Sequence, residues 1–260
     1  MPSGISGWSR FVVVACGLIA SGSAPPAQPA NAFTAQFPVT DRPDAWTLAL
    51  PTRRAPDAPP PAPPDLPAGA DRVTPLTVDA IVRRRKAGGR PEVLRQTISR
   101  TVDRIHVSGT GRTEWLFTGN VRDRRRVSGS FIDHGSRTIV IYEESDLRHA
   151  LGINGWADVL TLGFDTGRLA DFEPTTRTRT MDGIRFVRYA SDRKAGMAQE
   201  VWWSEDQLLA SRFTASDGDS STTYAIDRIR SGVDLTLLLP ATDRFPAYRV
   251  FDFADWLERH

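Results

Sequence analysis

From Ile105 the chain alternates, with Ile105, Val107, Gly109, Gly111, Thr113, Trp115 and Phe117 on one side of a two-residue period. His106, Ser108, Thr110, Arg112 and Glu114 take the other side, and this period predicts a long strand with one buried face. Further strands are predicted at 127–132, 138–143, 184–189, 200–203, 208–215, 222–229 and 235–239. Asp133-His134-Gly135-Ser136, Asp182-Gly183 and Asp217-Gly218 read as turns between them. Two short segments with helical spacing, 146–151 and 156–162, interrupt the strands, and Leu147, Leu151, Trp156, Val159, Leu160 and Leu162 are free to pack over an apolar surface. Upstream, Thr77 caps a predicted helix at 78–82 that Gly88-Gly89 ends, and Pro91 opens a second helix through Val93, Leu94, Ile98 and Val102. A closing helix is predicted at 251–259, with Asp252 as its cap and the aromatic residues from Tyr248 onward as a unit that docks and seals the sheet.

N-terminal helices, a meandering sheet, a helical insertion and a C-terminal helix make an α+β fold with antiparallel pairing. A sheet of this length must curl or close, and the insertion then covers its concave face. The pattern spans residues 76–260, enough for one domain with a sizeable core.

The first 75 residues are organised differently. Arg10 precedes a run of ~10 apolar or small residues at 11–20, the size of a signal-peptide core and short of the ~20 needed to span a membrane. Gly22-Ser23-Ala24 and Ala30-Asn31-Ala32 are both cleavage patterns, and the second is preferred because no proline follows it, giving a signal peptide at 1–32. The one cysteine, Cys16, lies in the apolar run. Val13-Val14-Ala15-Cys16-Gly17 also resembles the site at which bacterial lipoproteins are acylated, so a lipid anchor is the alternative to a discarded cysteine. Cleavage after Ala32 leaves a chain without disulfides or a thiol nucleophile, which suits the periplasm. Residues 33–75 are rich in proline, Pro59-Pro60-Pro61 and Pro63-Pro64 among them, and read as an extended, disordered linker.

Charge excludes little. The 33 Lys and Arg against 31 Asp and Glu leave a net +2, too small to argue for a polyanionic partner, and an exported protein has no call on nucleic acid. Only Lys86 and Lys194 are lysines, so the arginine clusters reflect residue choice as much as function and read as solvated faces.

Glu200-Val201-Trp202-Trp203-Ser204-Glu205-Asp206-Gln207-Leu208-Leu209-Ala210-Ser211-Arg212, followed by a polar hairpin and Thr222-Thr223-Tyr224-Ala225-Ile226, resembles the periplasmic lipoprotein-carrier superfamily of LolA, LolB and RseB-like half-barrels. Val201 and Trp202 match its Val-Trp strand, Leu209 and Arg212 the strand's exit, and Leu239-Pro240 its end, while Ala210 stands where the family has proline. The resemblance implies an unclosed barrel with helices against its concave side, enclosing an apolar cavity for acyl chains or lipid-modified proteins. The side chains expected to line that space are Trp115, Phe117, Phe131, Ile139, Phe186, Trp203 and Phe213.

No residues point to catalysis, a cofactor or a metal. His106, His134, His149 and His260 show no metal spacing, and Asp133-His134-Gly135-Ser136 sets acid, imidazole and hydroxyl side by side in sequence, where adjacent side chains diverge. Asp217-Gly218-Asp219-Ser220 lacks the later acid of a calcium loop, and Glu143, Glu144 and Asp146 read as an acidic helix start. The expected function is that of a non-enzymatic periplasmic binding protein for a lipid, an acyl chain or a lipidated protein, working at an inner- or outer-membrane surface. The alternative is a module with a filled core that regulates an envelope protein, and a hydrolase trails both. N-terminal sequencing of the mature protein is expected to begin at Phe33, and an acylated Cys16 would instead make the linker a membrane tether.

Overall fold

The computed structural model describes residues 70–86, 89–109, 112–123, 126–164, 166–190, 200–217 and 220–259. The expected signal peptide with Cys16, the proline run up to residue 69, Gly88, Gly218 and His260 lie outside them. The strands are β1 (Leu76–Lys86), β2 (Glu92–Arg100), β3 (Arg104–Gly109), β4 (Thr113–Gly119), β5 (Val127–Asp133) and β6 (Thr138–Tyr142). There follow β7 (Glu173–Met181), β8 (Ile184–Ala190), β9 (Glu200–Ser204), β10 (Leu209–Asp217), β11 (Ser220–Ser231) and β12 (Arg249–Asp252). All belong to one sheet in the order β12-β6-β5-β4-β3-β2-β1-β11-β10-β9-β8-β7, antiparallel except where β12 joins β6 in parallel. Its two ends do not pair with each other, so the sheet is an open half-barrel. β1 sits between two meanders, β2 to β6 on one side and β7 to β11 on the other.

The predicted N-terminal helices are strands. In β1, Leu76, Val78, Ala80 and Val82 are buried while Thr77, Asp79 and Ile81 are half-buried, the two-residue period of a strand. In β2 the inward positions are Leu94, Gln96, Ile98 and Arg100, and the two polar residues hide the same period. Short apolar runs fit helix or strand equally well, and the partner strands decided: Leu76 to Arg84 pair with Arg100 to Glu92, and all of β1 pairs with β11. Gly89 and Pro91 therefore lie in a hairpin connection.

Two other predicted elements differ, and two strands were not predicted. The long strand from Ile105 folds back as β3 and β4, with Arg104↔Thr118 and Ser108↔Glu114 as pairs. The strand expected at 235–239 is a 3-10 turn, Leu235–Leu238, because Asp234 accepts the N–H of Thr236 at 2.9 Å and starts a cap. β7 and β12 were not predicted, since neither presents an apolar face: every residue of β7 is exposed or half-buried.

The insertion forms as expected. Helix α1 (Glu144–Asp146) opens with the Asp146 carboxylate accepting the Glu143 N–H at 3.0 Å and continues as a π-helical turn, Leu147–Leu151, which Gly152 ends in the left-handed conformation. Helix α2 (Trp156–Leu160) follows. Leu147, Leu151, Trp156, Val159, Leu160, Leu162 and Phe164 join Trp115, Phe117, Trp203 and Phe213 in one core on the inner face. A second, smaller core of Leu116, Ile132, Ile139, Leu238 and Ala241 lies on the outer face, beneath the segment that carries α3 (Ala241–Arg244). Asp252 caps the closing helix α4 (Phe253–Arg259) by accepting the Asp255 N–H at 2.7 Å. Phe253 packs on Tyr142 with ring centroids 4.6 Å apart.

Trp156 is wholly buried and stands where Gly119 ends β4. A Cβ on Gly119 would lie 2.1 Å from the indole, which its Nε1–H to the Val102 carbonyl, 2.9 Å, holds in place. Gly119→Ala is expected to expel Trp156 and lower the urea midpoint, at a cost of about 1–3 kcal/mol.

Candidate functional site

The inner face carries two aromatic groups. Trp115 of β4 stacks on Phe117 with centroids 5.2 Å apart and planes 2° from parallel, and it touches Phe131 of β5 at 5.2 Å and Tyr142 of β6 at 5.1 Å. On the other meander, Phe164 from the end of the insertion lies 5.0 Å from Trp203 and 5.7 Å from Phe213, and Phe213 stacks on Tyr224 at 5.2 Å. Of the residues expected to line a cavity, Trp115, Phe117, Phe186, Trp203 and Phe213 share this core and are at most 2% exposed. The chain itself covers them. Phe131 is half-buried at the margin. Ile139 belongs to the outer core, because β6 pairs Ile132↔Ile139 and Phe131↔Val140, which puts Val140 on the inner face in its place. The Trp115 indole N–H is buried without an acceptor among the described residues.

A residue that the sequence pattern did not single out ties the insertion to the sheet. Arg100, the last residue of β2, is 0% exposed. One terminal nitrogen donates to the carbonyl of Leu160 in α2 at 3.0 Å and to that of Leu208 at 3.2 Å; the other donates to the Gln207 carbonyl at 2.6 Å. No carboxylate accompanies it among the described residues, and its Nε has no acceptor. Burial pushes its guanidinium down to about 10, partly offset by Tyr224, so it stays charged at neutral pH. Three carbonyl dipoles, two from the turn between β9 and β10 and one from the end of α2, compensate the charge. The signal for this role was faint: an arginine in step with Ile98 on an inward-facing strand.

No family model matches the chain, and no curated protein matches it in sequence. Solved structures do. The LolA superfamily protein NE2245 from Nitrosomonas europaea is 10% identical, with a TM-score of 0.31 over 64% of this chain and 91% of that one. The MucA/MucB complex of Pseudomonas aeruginosa matches at 15% identity and a TM-score of 0.37, over 68% of this chain and 57% of that chain. PNGF-II matches at 12% identity and a TM-score of 0.35, over 72% of this chain and 33% of that chain. The chain spans most of the first protein, somewhat over half of the second and about a third of the third.

The outer face holds the polar counterpart. Glu114 of β4 accepts from His106 Nε2 at 2.8 Å and from Arg244 of α3 at 2.8 Å on one oxygen, and from His134 Nε2 at 3.0 Å on the other. His134 Nδ1 lies 2.9 Å from the Tyr248 hydroxyl, and Phe245 packs edge-on against its ring at 5.0 Å. Arg104 donates to the Leu238 carbonyl at 2.6 Å beside them. One carboxylate thus joins β3, the turn after β5 and the segment leading to β12. The turn itself is shaped by Asp133, which accepts the Gly135 N–H at 2.7 Å and the Ser136 hydroxyl at 2.8 Å, so its acid and hydroxyl are engaged with each other and not with His134. His149 bonds the Ser145 carbonyl at 2.7 Å on the insertion. No group of His, Cys, Asp and Glu among the described residues is placed to hold a metal ion.

Burial alone would raise the Glu114 carboxyl, but the hydrogen bond and charge of His106, the charge of Arg244 and the bond from His134 outweigh it and hold the group at about 2. A carboxyl lowered by folding contributes stability that is present above the unfolded value of about 4.5 and lost as pH falls toward about 2. Glu114→Gln is therefore expected to lower the thermal midpoint at pH 7 and to bring it close to that of the parent protein near pH 2, which a pair of melting curves at each pH measures.

Proposed function

We propose that this protein is an exported periplasmic binding protein that buries a lipid, an acyl chain or a lipid-modified protein segment under the insertion at 144–171, without catalysing a reaction. Arg100 is the observation that carries the reading. A guanidinium buried with backbone carbonyls alone is a tie that can be undone, since lifting the insertion returns the charge to water and recovers its hydration, whereas a buried ion pair leaves two charges to be parted.

The energetics of exchange favour such a device. Leu147, Leu151, Trp156, Val159 and Leu160 occupy the inner face in the closed state, each worth about 1.5–3 kcal/mol for burial of its side chain. An acyl chain that takes their place restores apolar contact at about 25 cal/mol per Å2, so ligand and insertion compete for one surface on near-equal terms. The free Trp115 indole N–H offers a ligand carbonyl one polar contact. The location in the periplasm rests on the N-terminal segment, and partners would be a membrane surface or another envelope protein.

A second reading, an interaction module with a filled core, is favoured by the near-complete cover over Trp115, Phe117, Trp203 and Phe213. Titration with a dansyl-labelled fatty acid separates the two. The full-length protein is expected to bind saturably, and Arg100→Leu, which weakens the closed state, to bind about tenfold tighter or more. Absence of binding by both folded proteins, together with no lipid in an organic extract of the purified protein, would overturn the carrier reading in favour of the module.

A further inference from the structure

The sheet ends on β7, whose one neighbour among the described strands is β8. They are joined by Asp182-Gly183, both at positive φ, 49° and 81°, the two-residue turn that makes the flanking Met181 and Ile184 a hydrogen-bonded pair. Bonded and non-bonded pairs alternate along an antiparallel ladder. With Met181↔Ile184 and Arg179↔Phe186 bonded, the N–H and C=O groups of Thr178 and Thr180 point away from β8, toward the open edge. Both threonines are exposed. Proline, short length and bulges usually blunt such an edge. Here Pro174 and the irregular register between Pro174 and Thr178 protect the first half of β7 and leave Thr178–Met181 regular, while the opposite end of the sheet is closed by β12, a strand of only 4 residues.

The edge is cationic. Arg177 and Arg185 are exposed and belong to no ion pair among the described residues. Arg179 lies 4.9 Å over the Trp202 ring and donates to the Ser211 hydroxyl at 2.6 Å, and its Nε has no acceptor. Of the carboxylates on β7 and the strands beside it, Asp182 accepts the Ile229 N–H at 2.9 Å and Glu200 is held by Arg188 at 3.0 Å and by the Trp202 indole, while Glu173 is exposed at the far, irregular end of β7.

We infer that the edge of β7, unpaired among the described residues, takes an extended acidic segment of a partner protein as an added strand, bonded through its main chain to Thr178 and Thr180 and through carboxylates to Arg177 and Arg179 on one face and to Arg185 on the other. Main-chain pairing supplies the geometry of this mode, and the arginines select for acidic side chains. It is independent of the apolar inner face and holds whether or not that face opens.

The probe is a short fluorescein-labelled peptide of glutamate pairs separated by single valines, which sets carboxylates on both faces of the strand, its anisotropy read against the full-length protein. It is expected to bind, and the lysine-valine counterpart is not. Thr180→Pro removes an outward N–H without touching the ladder to β8, and the pair Arg177→Glu with Arg185→Glu inverts the charge; each is expected to weaken binding about tenfold or more with an unchanged melting midpoint. A peptide methylated on alternate main-chain nitrogens tests the same bonds with the protein unaltered, and is expected to bind as poorly. No binding by the acidic peptide, or equal binding after methylation, would overturn the inference, the second result leaving attraction by charge alone. A dimer that Thr180→Pro dissociates would also overturn it, with a second copy as the occupant.

Discussion

A sheet that is one layer thick and apolar on its inner side needs a cover, and in this chain the cover comes from the sheet's own connections. The stretch between β6 and β7 supplies leucines, Trp156 and Phe164 to the inner face, and they meet Trp115, Phe117, Trp203 and Phe213 from both meanders. Because one insertion touches strands on either side of β1, its seating decides whether the half-barrel has a single core. Gly119 shows how closely it is seated, since even a methyl group there would collide with Trp156.

Two polar devices fix what apolar packing leaves free. On the inner side, Arg100 gathers carbonyls from α2 and from the turn between β9 and β10, binding cover to sheet through a charge that no carboxylate among the described residues neutralises. On the outer side, Glu114 gathers two imidazoles and a guanidinium and clamps the segment that leads to β12 over a small core of its own. The two differ in how readily they part. Opening the first exposes one hydrated cation; opening the second separates a carboxylate from three donors, which suits a permanent attachment better than a moving one.

Much of the sheet was legible because alternation is a local property. The strands around Phe186, Trp203 and Phe213, the turn at Asp182-Gly183 and the cap at Asp252 all stand where the pattern places them. Where the inward position of a strand is polar, as at Gln96 and Arg100, the two-residue period breaks and a helix is read in its place. β7 escaped for the opposite reason: it buries neither face, so its threonines and arginines carry no period at all. The face assigned to Ile139 shows a third limit, since a strand with apolar residues on both sides, Ile139 and Val140, gives no sign of which is inward until its partner sets the register.

The sequence by itself determined the class of fold, the interruption of the sheet by an apolar helical insertion and the aromatic character of the inner face. These follow from residue spacing within a few positions. Only the tertiary structure decided that β1 lies at the middle of the sheet, that the insertion fills the inner face, and that Arg100 and Glu114 are where separate segments converge. His106, Glu114, His134, Arg244 and Tyr248 are spread over most of the folded chain, and no local period links them. Strand order brings them together, and strand order is set by long-range pairing that a local pattern does not contain.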